Sequence, residues 1–147
     1  MKVRLHPPVT VLYSRHKTTL KELPQLSNVS KEIYTEAANH SFVSGPVYWI
    51  YHGADGNPET LFTLEIAVPI QGFFNSSKFS IKELAPFKAV VHRHEGPWEQ
   101  LGSSYGEIMQ YVETNRIPIK DEFREIYLNV DFQRPENNIT EVQVGTF

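Results

Sequence analysis

Glu125-Ile126-Tyr127-Leu128-Asn129 reads as a β-strand. β-Formers alternate with a period of two and stop at Asn129, before a polar loop. Residues two apart on a strand share a face. Phe123, Glu125 and Tyr127 therefore point one way, and Arg124, Ile126 and Leu128 the other. One carboxylate is thus set between two aromatic rings in an apolar strand. Burying such a charge is costly unless something pairs with it. An arginine partner or an edge position in water would account for it structurally; a binding or catalytic site would use it.

This strand has a counterpart. Ile50-Tyr51 matches Ile126-Tyr127 at an offset of 76 residues, and Glu65 with Glu141 and Val68 with Val144 repeat it. Upstream, Pro8, Arg15, His16 and Leu23 match Pro86, Arg93, His94 and Leu101 at an offset of 78. Matches in the same order indicate a duplicated unit. We expect a single domain over 1–147, with one unit at about 1–70 and the other at about 79–147.

Each unit predicts strand, helix, strand, strand. In the first, strands are expected near Val9–His16, Val47–His52 and Leu61–Val68. In the second they fall near Phe87–His94, Arg124–Val130 and Thr140–Thr146, with a short extra strand before it at Phe79–Leu84. The second helix opens with Gly96 as cap and Pro97 at the first helical position. Trp98, Leu101, Tyr105, Ile108, Met109 and Val112 form its apolar face, and Asn115 stops it. The first helix takes Pro24 into its first turn and runs to about Asn39, burying Leu26, Ser30, Ile33, Tyr34 and Ala37. The expected fold is α+β: duplicated strand–helix–strand–strand units form one curved antiparallel sheet with two helices on one face. A ligand cleft is expected between the halves, on the concave face away from the helices.

Bulk composition narrows the function. The net charge of −3, with Arg and Lys scattered, gives no basic face for direct nucleic-acid binding. No apolar run approaches a membrane span, and none at the N-terminus reads as a signal peptide. The absence of cysteine removes disulfides, thiolate zinc sites and cysteine nucleophiles, and fits a reducing, cytoplasmic setting. The Asn-x-Ser/Thr triplets at Asn28, Asn39, Asn75 and Asn138 are then chance matches.

The offset of 76 matches Glu125 with Trp49 and Tyr127 with Tyr51, so pseudo-symmetry would turn all four side chains to one seam. Aromatic faces attract cations by about 0.5–2 kcal/mol each. A buried carboxylate adds the counter-charge, and such binding should weaken in acid. The alternative is that Trp49 and Tyr51 are plain core aromatics. Trp98 would lean over one cleft end or staple its helix to the sheet; Tyr105 and Met109 suit either core or pocket. His92-x-His94 lacks a third ligand at convincing spacing, so no metal is expected, and His94 is read as ordering the helix start. No cofactor motif is visible, nor a nucleophile elbow. Glu95, Glu99, Glu107 and Glu113 give the second helix an acidic surface for a protein partner, or a solvated face.

His94-Glu95-Gly96-Pro97-Trp98-Glu99-Gln100-Leu101, Phe123-Arg124-Glu125-Ile126-Tyr127-Leu128-Asn129 and Ile139-Thr140-Glu141-Val142 together resemble the GyrI-like small-molecule-binding domain. That domain is also the effector-binding domain of multidrug-sensing bacterial transcription activators. The resemblance covers nearly the whole chain and is strongest from Phe79 onward. It implies a duplicated fold with a cleft between the halves. It also implies that Glu125, with Tyr127 beside it, pairs with amphipathic, cationic aromatic ligands in drug sensing or sequestration. The activators carry a DNA-binding domain ahead of this one, and here the chain starts at the first strand. A stand-alone member is therefore expected, with DNA gyrase or a separate regulator as candidate protein partners. The resemblance implies two alternatives: a hydrolase of strained, cyclopropane-bearing electrophiles using Glu125 and Tyr127, and an inhibitor or modulator that binds DNA gyrase.

Overall fold

Alternating apolar segments pair into one curled antiparallel sheet in the computed structural model, which describes residues 1–147. The strands are β1 (Lys2–His6), β2 (Val9–Thr18), β3 (Phe42–Val43), β4 (Tyr48–His52), β5 (Phe62–Gln71), β6 (Ser80–Leu84), β7 (Phe87–Glu95), β8 (Ile119–Asn129) and β9 (Ile139–Thr146). Helix α1 spans Val29–His40 and α2 spans Leu101–Thr114. The order across the sheet is β1-β7-β9-β8-β4-β5-β2-β6, with β3 on the end of β5. The central pair is β4–β8, flanked by β9-β7 on one side and β5-β2 on the other.

The register at the centre sets the site. Trp49 lies directly opposite Glu125, and Tyr51 opposite Phe123. Directly paired residues share a face, so all four side chains emerge together. Tyr127 joins them, its N–H donating to Val47 O at 3.1 Å.

The two helices cover one face of the sheet. Ile33 and Ala37 of α1 pack on Leu12, Leu64, Ile66 and Val68. Ile108 and Val112 of α2 pack on Val90, Val142 and Val144. Each such aliphatic side chain, fully buried, contributes about 1.5–3 kcal/mol. Phe123 touches both clusters and marks the gap between the helices. The cleft lies in that gap, on the helix-bearing face, and not on the opposite face as expected. The opposite face is occupied by its own small core of Val11, Ile50, Ala67 and Leu84. Two helices ~10 Å wide cannot span so broad a sheet, so the middle strands stay open between them.

Other boundaries differ from expectation for local reasons. Pro24 sits in a separate 3-10 turn, Leu20–Leu26, and α1 begins only at Val29. Proline lacks the N–H that would continue an α-helical ladder. Pro97 precedes the helix instead of entering it. A 3-10 turn at Trp98–Gln100 follows, and no side chain caps either start. Gly96 makes the bend from β7 at φ 122°, and its N–H donates to Asn138 O at 2.9 Å. Met109 is 43% exposed and leaves the apolar face, which Ser104, Ile108 and Val112 bury. Strand β1 was not expected, yet Lys2–His6 lies 78 residues before β6 (Ser80–Leu84), the established offset. No helix is long and apolar enough to cross a membrane.

Candidate functional site

Between the helices lies a cleft of about 1310 Å³. Its floor is β4 and β8, contributing Trp49, Tyr51, Phe123, Glu125 and Tyr127. Leu20, Leu23, Pro24 and Tyr34 form one wall; Trp98, Leu101 and Tyr105 form the other. The lining is mostly apolar with few convergent polar groups, the usual character of a small-molecule site.

All six expected residues line this cleft: Trp49, Tyr51, Trp98, Tyr105, Glu125 and Tyr127. Glu125 is 5% exposed. Neither an arginine nor an edge in water accounts for it. Its Oε1 accepts from Tyr127 Oη at 2.7 Å and from Tyr51 Oη at 3.1 Å, and its Oε2 from Tyr105 Oη at 2.5 Å. Three phenols from three elements thus converge on one carboxylate, with no cation among its partners. Burial first, and the Glu125 charge second, push all three phenols well above their ordinary value of 10. They therefore act as neutral donors.

The rings are held in place. Trp49 Nε1–H donates to Ser30 Oγ of α1 at 2.9 Å. Tyr127 meets Trp49 and Trp98 edge-on, at centroid distances of 6.1 and 5.5 Å. Tyr51 stacks on Phe123 at 4.6 Å, and Tyr105 meets Phe123 edge-on. Trp98 lies at one cleft end, against Tyr127 and Phe132.

His94 orders the start of α2, since Nε2–H donates to Pro97 O at 3.0 Å and Nδ1 faces Ser104 Oγ at 2.7 Å. No group of three or more His, Asp or Glu side chains is placed to hold a metal ion. On the acidic surface, Glu107 pairs with His92 and Glu95 with Arg93, while Glu99 lines the cleft mouth.

Sequence reasoning missed Phe132, Val130, Leu20 and Leu23 in the lining. The first two sit in the loop after β8, where no periodicity orients a side chain. Phe123 was placed on the right face but not assigned to the site. Leu20, at offset 78 from Trp98, could have been found through the repeat.

Residues 1–145 match the GyrI-like small molecule binding domain, so the chain belongs to that family. Its fold is similar to the crystal structure of the EcmrR C-terminal domain (TM-score 0.83, 19% identity, 99% of this chain and 96% of that one). Within the EcmrR–DNA complex it spans 57% of the EcmrR chain. It is also similar to SAV2435 bound to tetraphenylphosphonium (TM-score 0.64, 14% identity, 99% and 93% covered). A hydrolase encoded by lin2189 from Listeria innocua shares the fold as well (TM-score 0.65, 15% identity, 99% and 91% covered). No curated protein matches the sequence.

Proposed function

We propose that the cleft binds amphipathic organic cations, with Glu125 as counter-charge and Trp49, Tyr51, Trp98, Tyr105 and Tyr127 as its aromatic surround, and that the protein senses or sequesters such compounds. The observation that carries this reading is the buried Glu125 carboxylate, held by three neutral phenols and by no cation. A lone buried charge is expensive to keep, and a cationic ligand would supply the missing partner. The rings add the attraction that desolvated aromatic faces have for cations. That SAV2435 takes tetraphenylphosphonium in the same fold supports the choice of ligand class.

Both tryptophans of the chain line the cleft, so intrinsic fluorescence reports directly on it. Titration with tetraphenylphosphonium should quench it, while a neutral aromatic analogue of matched size should not. Glu125→Gln should weaken the phosphonium by at least about thirtyfold, roughly 2 kcal/mol. Equal binding by the variant, or by the neutral analogue, would refute the counter-charge role.

The same cluster supports a second reading, hydrolysis of a strained cyclopropane-bearing electrophile. Glu125 would do the proton transfer and Tyr127 hold the leaving group. Product formation by the wild type and its loss in Glu125→Gln would establish turnover. A protein partner such as DNA gyrase has less behind it, because two of the acids around α2 already have partners, Glu107 in His92 and Glu95 in Arg93.

A further inference from the structure

The cleft is not symmetric, although its framework is. Strands β4 and β8 run antiparallel, so the loops that follow them lie at opposite ends of the cleft. After β8 the loop presents Phe132, and after β4 the equivalent position, 76 residues earlier, is Gly56. The entries to the two helices differ in the same sense. Trp98 precedes α2, and Leu20, 78 residues earlier, opens the turn before α1. On the floor the equivalents at offset 76 are Val47, beside Tyr127 at the Trp98 end, and Phe123, opposite Tyr51 at the Gly56 end. One end is therefore walled by Trp98, Phe132 and Val47, with Tyr127 between them, and the other by Leu20, Phe123 and the bare backbone of Gly56.

Phe132 makes this difference consequential. It is 83% exposed, yet its ring meets Trp98 edge-on at 6.0 Å. Its loop is tied down rather than free, because Asp131 Oδ1 accepts from the N–H groups of Gln133 and Arg134. Asn138 Oδ1 in turn accepts from the Asp131 N–H at 2.7 Å. A large ring held at a mouth, over a second ring, completes an aromatic end wall. At the far end nothing lies within 4 Å of a side chain built at Gly56, so that mouth is open.

We infer that the cleft orients its ligand: an aromatic cationic head is seated between Glu125 and the Trp98–Phe132 wall, and an aliphatic tail runs past Leu20 and leaves beside Gly56. This rests on the cation-binding reading above. The ligand class is accordingly an aromatic cation bearing an alkyl chain, with tolerance for length at one end only. Stacking selects the head, since aromatic walls discriminate by ring geometry and charge. Apolar area alone selects the tail, which sets no limit on shape.

The test is a series of alkyltriphenylphosphonium ions, from methyl to decyl, titrated by tryptophan fluorescence. Wild-type affinity should rise about fourfold per methylene over the first several carbons. Leu20→Ser should flatten that dependence. Gly56→Asn, which tolerates the positive φ of 85°, should flatten it too by placing an amide in the tail's path. Phe132→Ala should weaken every member about five- to tenfold while the dependence on length persists. A flat wild-type series overturns the orientation. So does a dependence that survives at Leu20 and Gly56 but vanishes in Phe132→Ala. Glu125→Gln separates the two claims: uniform loss across the series supports the counter-charge, whatever the slope. If Glu125→Gln binds as well as wild type, the cation reading falls, and the slope still judges the orientation. If no member binds, both fall.

Discussion

Glu125 sits among three phenols, and each donates a hydrogen bond to it. Glu125→Gln keeps the shape and one acceptor oxygen, and strands no buried cation. Its unfolding free energy should change by less than about 1 kcal/mol, read from a denaturant melt. Loss of ligand binding without loss of stability is then the signature of a functional acid. The tyrosines carry a pH prediction. Tyr51, Tyr105 and Tyr127 have folded values raised well above 10, by burial first and by the Glu125 charge next. A group raised in the folded state contributes stability that is complete below its ordinary value and declines as pH rises toward the folded one. Spectrophotometric titration should show fewer than the chain's seven tyrosines ionising before the protein unfolds in alkali. Full ionisation of the folded protein near 10 would contradict the buried cluster. At this scale the sequence was legible wherever a residue sat on a strand. Period two and the offset of 76 sufficed to bring Trp49, Tyr51, Glu125 and Tyr127 to one face. Phe132 was not legible, because a loop has no period to aim its ring.

A second buried carboxylate, Glu65 on β5, shows what structural pairing looks like here. His52 of β4, Lys82 of β6 and Arg15 of β2 all reach it, at 2.9, 2.5 and 3.1 Å. Burial pushes its value up, but the hydrogen bonds from His52 and Lys82, the Lys82 charge and the Arg15 bond outweigh that. They hold it at about 2 against an ordinary 4.5. A depressed carboxylate contributes stability above its ordinary value and loses it as pH falls through the folded one. Wild-type stability should therefore fall between about pH 4.5 and 2 by on the order of 3 kcal/mol. Glu65→Gln should lose most of that dependence in urea melts across the same range. The turn from β7 into α2 is a different kind of constraint. Gly96 at φ 122° would be strained with a side chain, though a Cβ there would meet only Gln100 Oε1 at 3.4 Å. Gly96→Ala should thus destabilise by about 1–3 kcal/mol through the backbone. It should also shift the emission of Trp98, two residues on. The elements were legible in type but less so at their ends. Pro24 was read into the first turn of a helix that begins only at Val29, after a separate 3-10 turn, and the two-residue β3 is too short for any alternation to reveal.

As a molecule, the protein is a sheet with two helices and an opening between them, and that opening is where local reading ran out. Alternation, turn residues and two internal offsets determined seven of the nine strands, both helices, the antiparallel sheet and the face on which Glu125 emerges. These properties follow from backbone geometry, which repeats over a few residues and is written in local pattern. Which face carries the cleft was decided only in three dimensions. Helix width against sheet breadth left β4 and β8 uncovered beneath α1 and α2, whereas the opposite face closed over Val11, Ile50, Ala67 and Leu84. The partners of Glu125 were likewise a tertiary matter. Tyr105 comes from α2, 20 residues away in the chain, and Tyr51 from β4, 74 residues away. No spacing rule links a helix residue to a strand residue across a cleft, because their meeting depends on how the whole sheet curls.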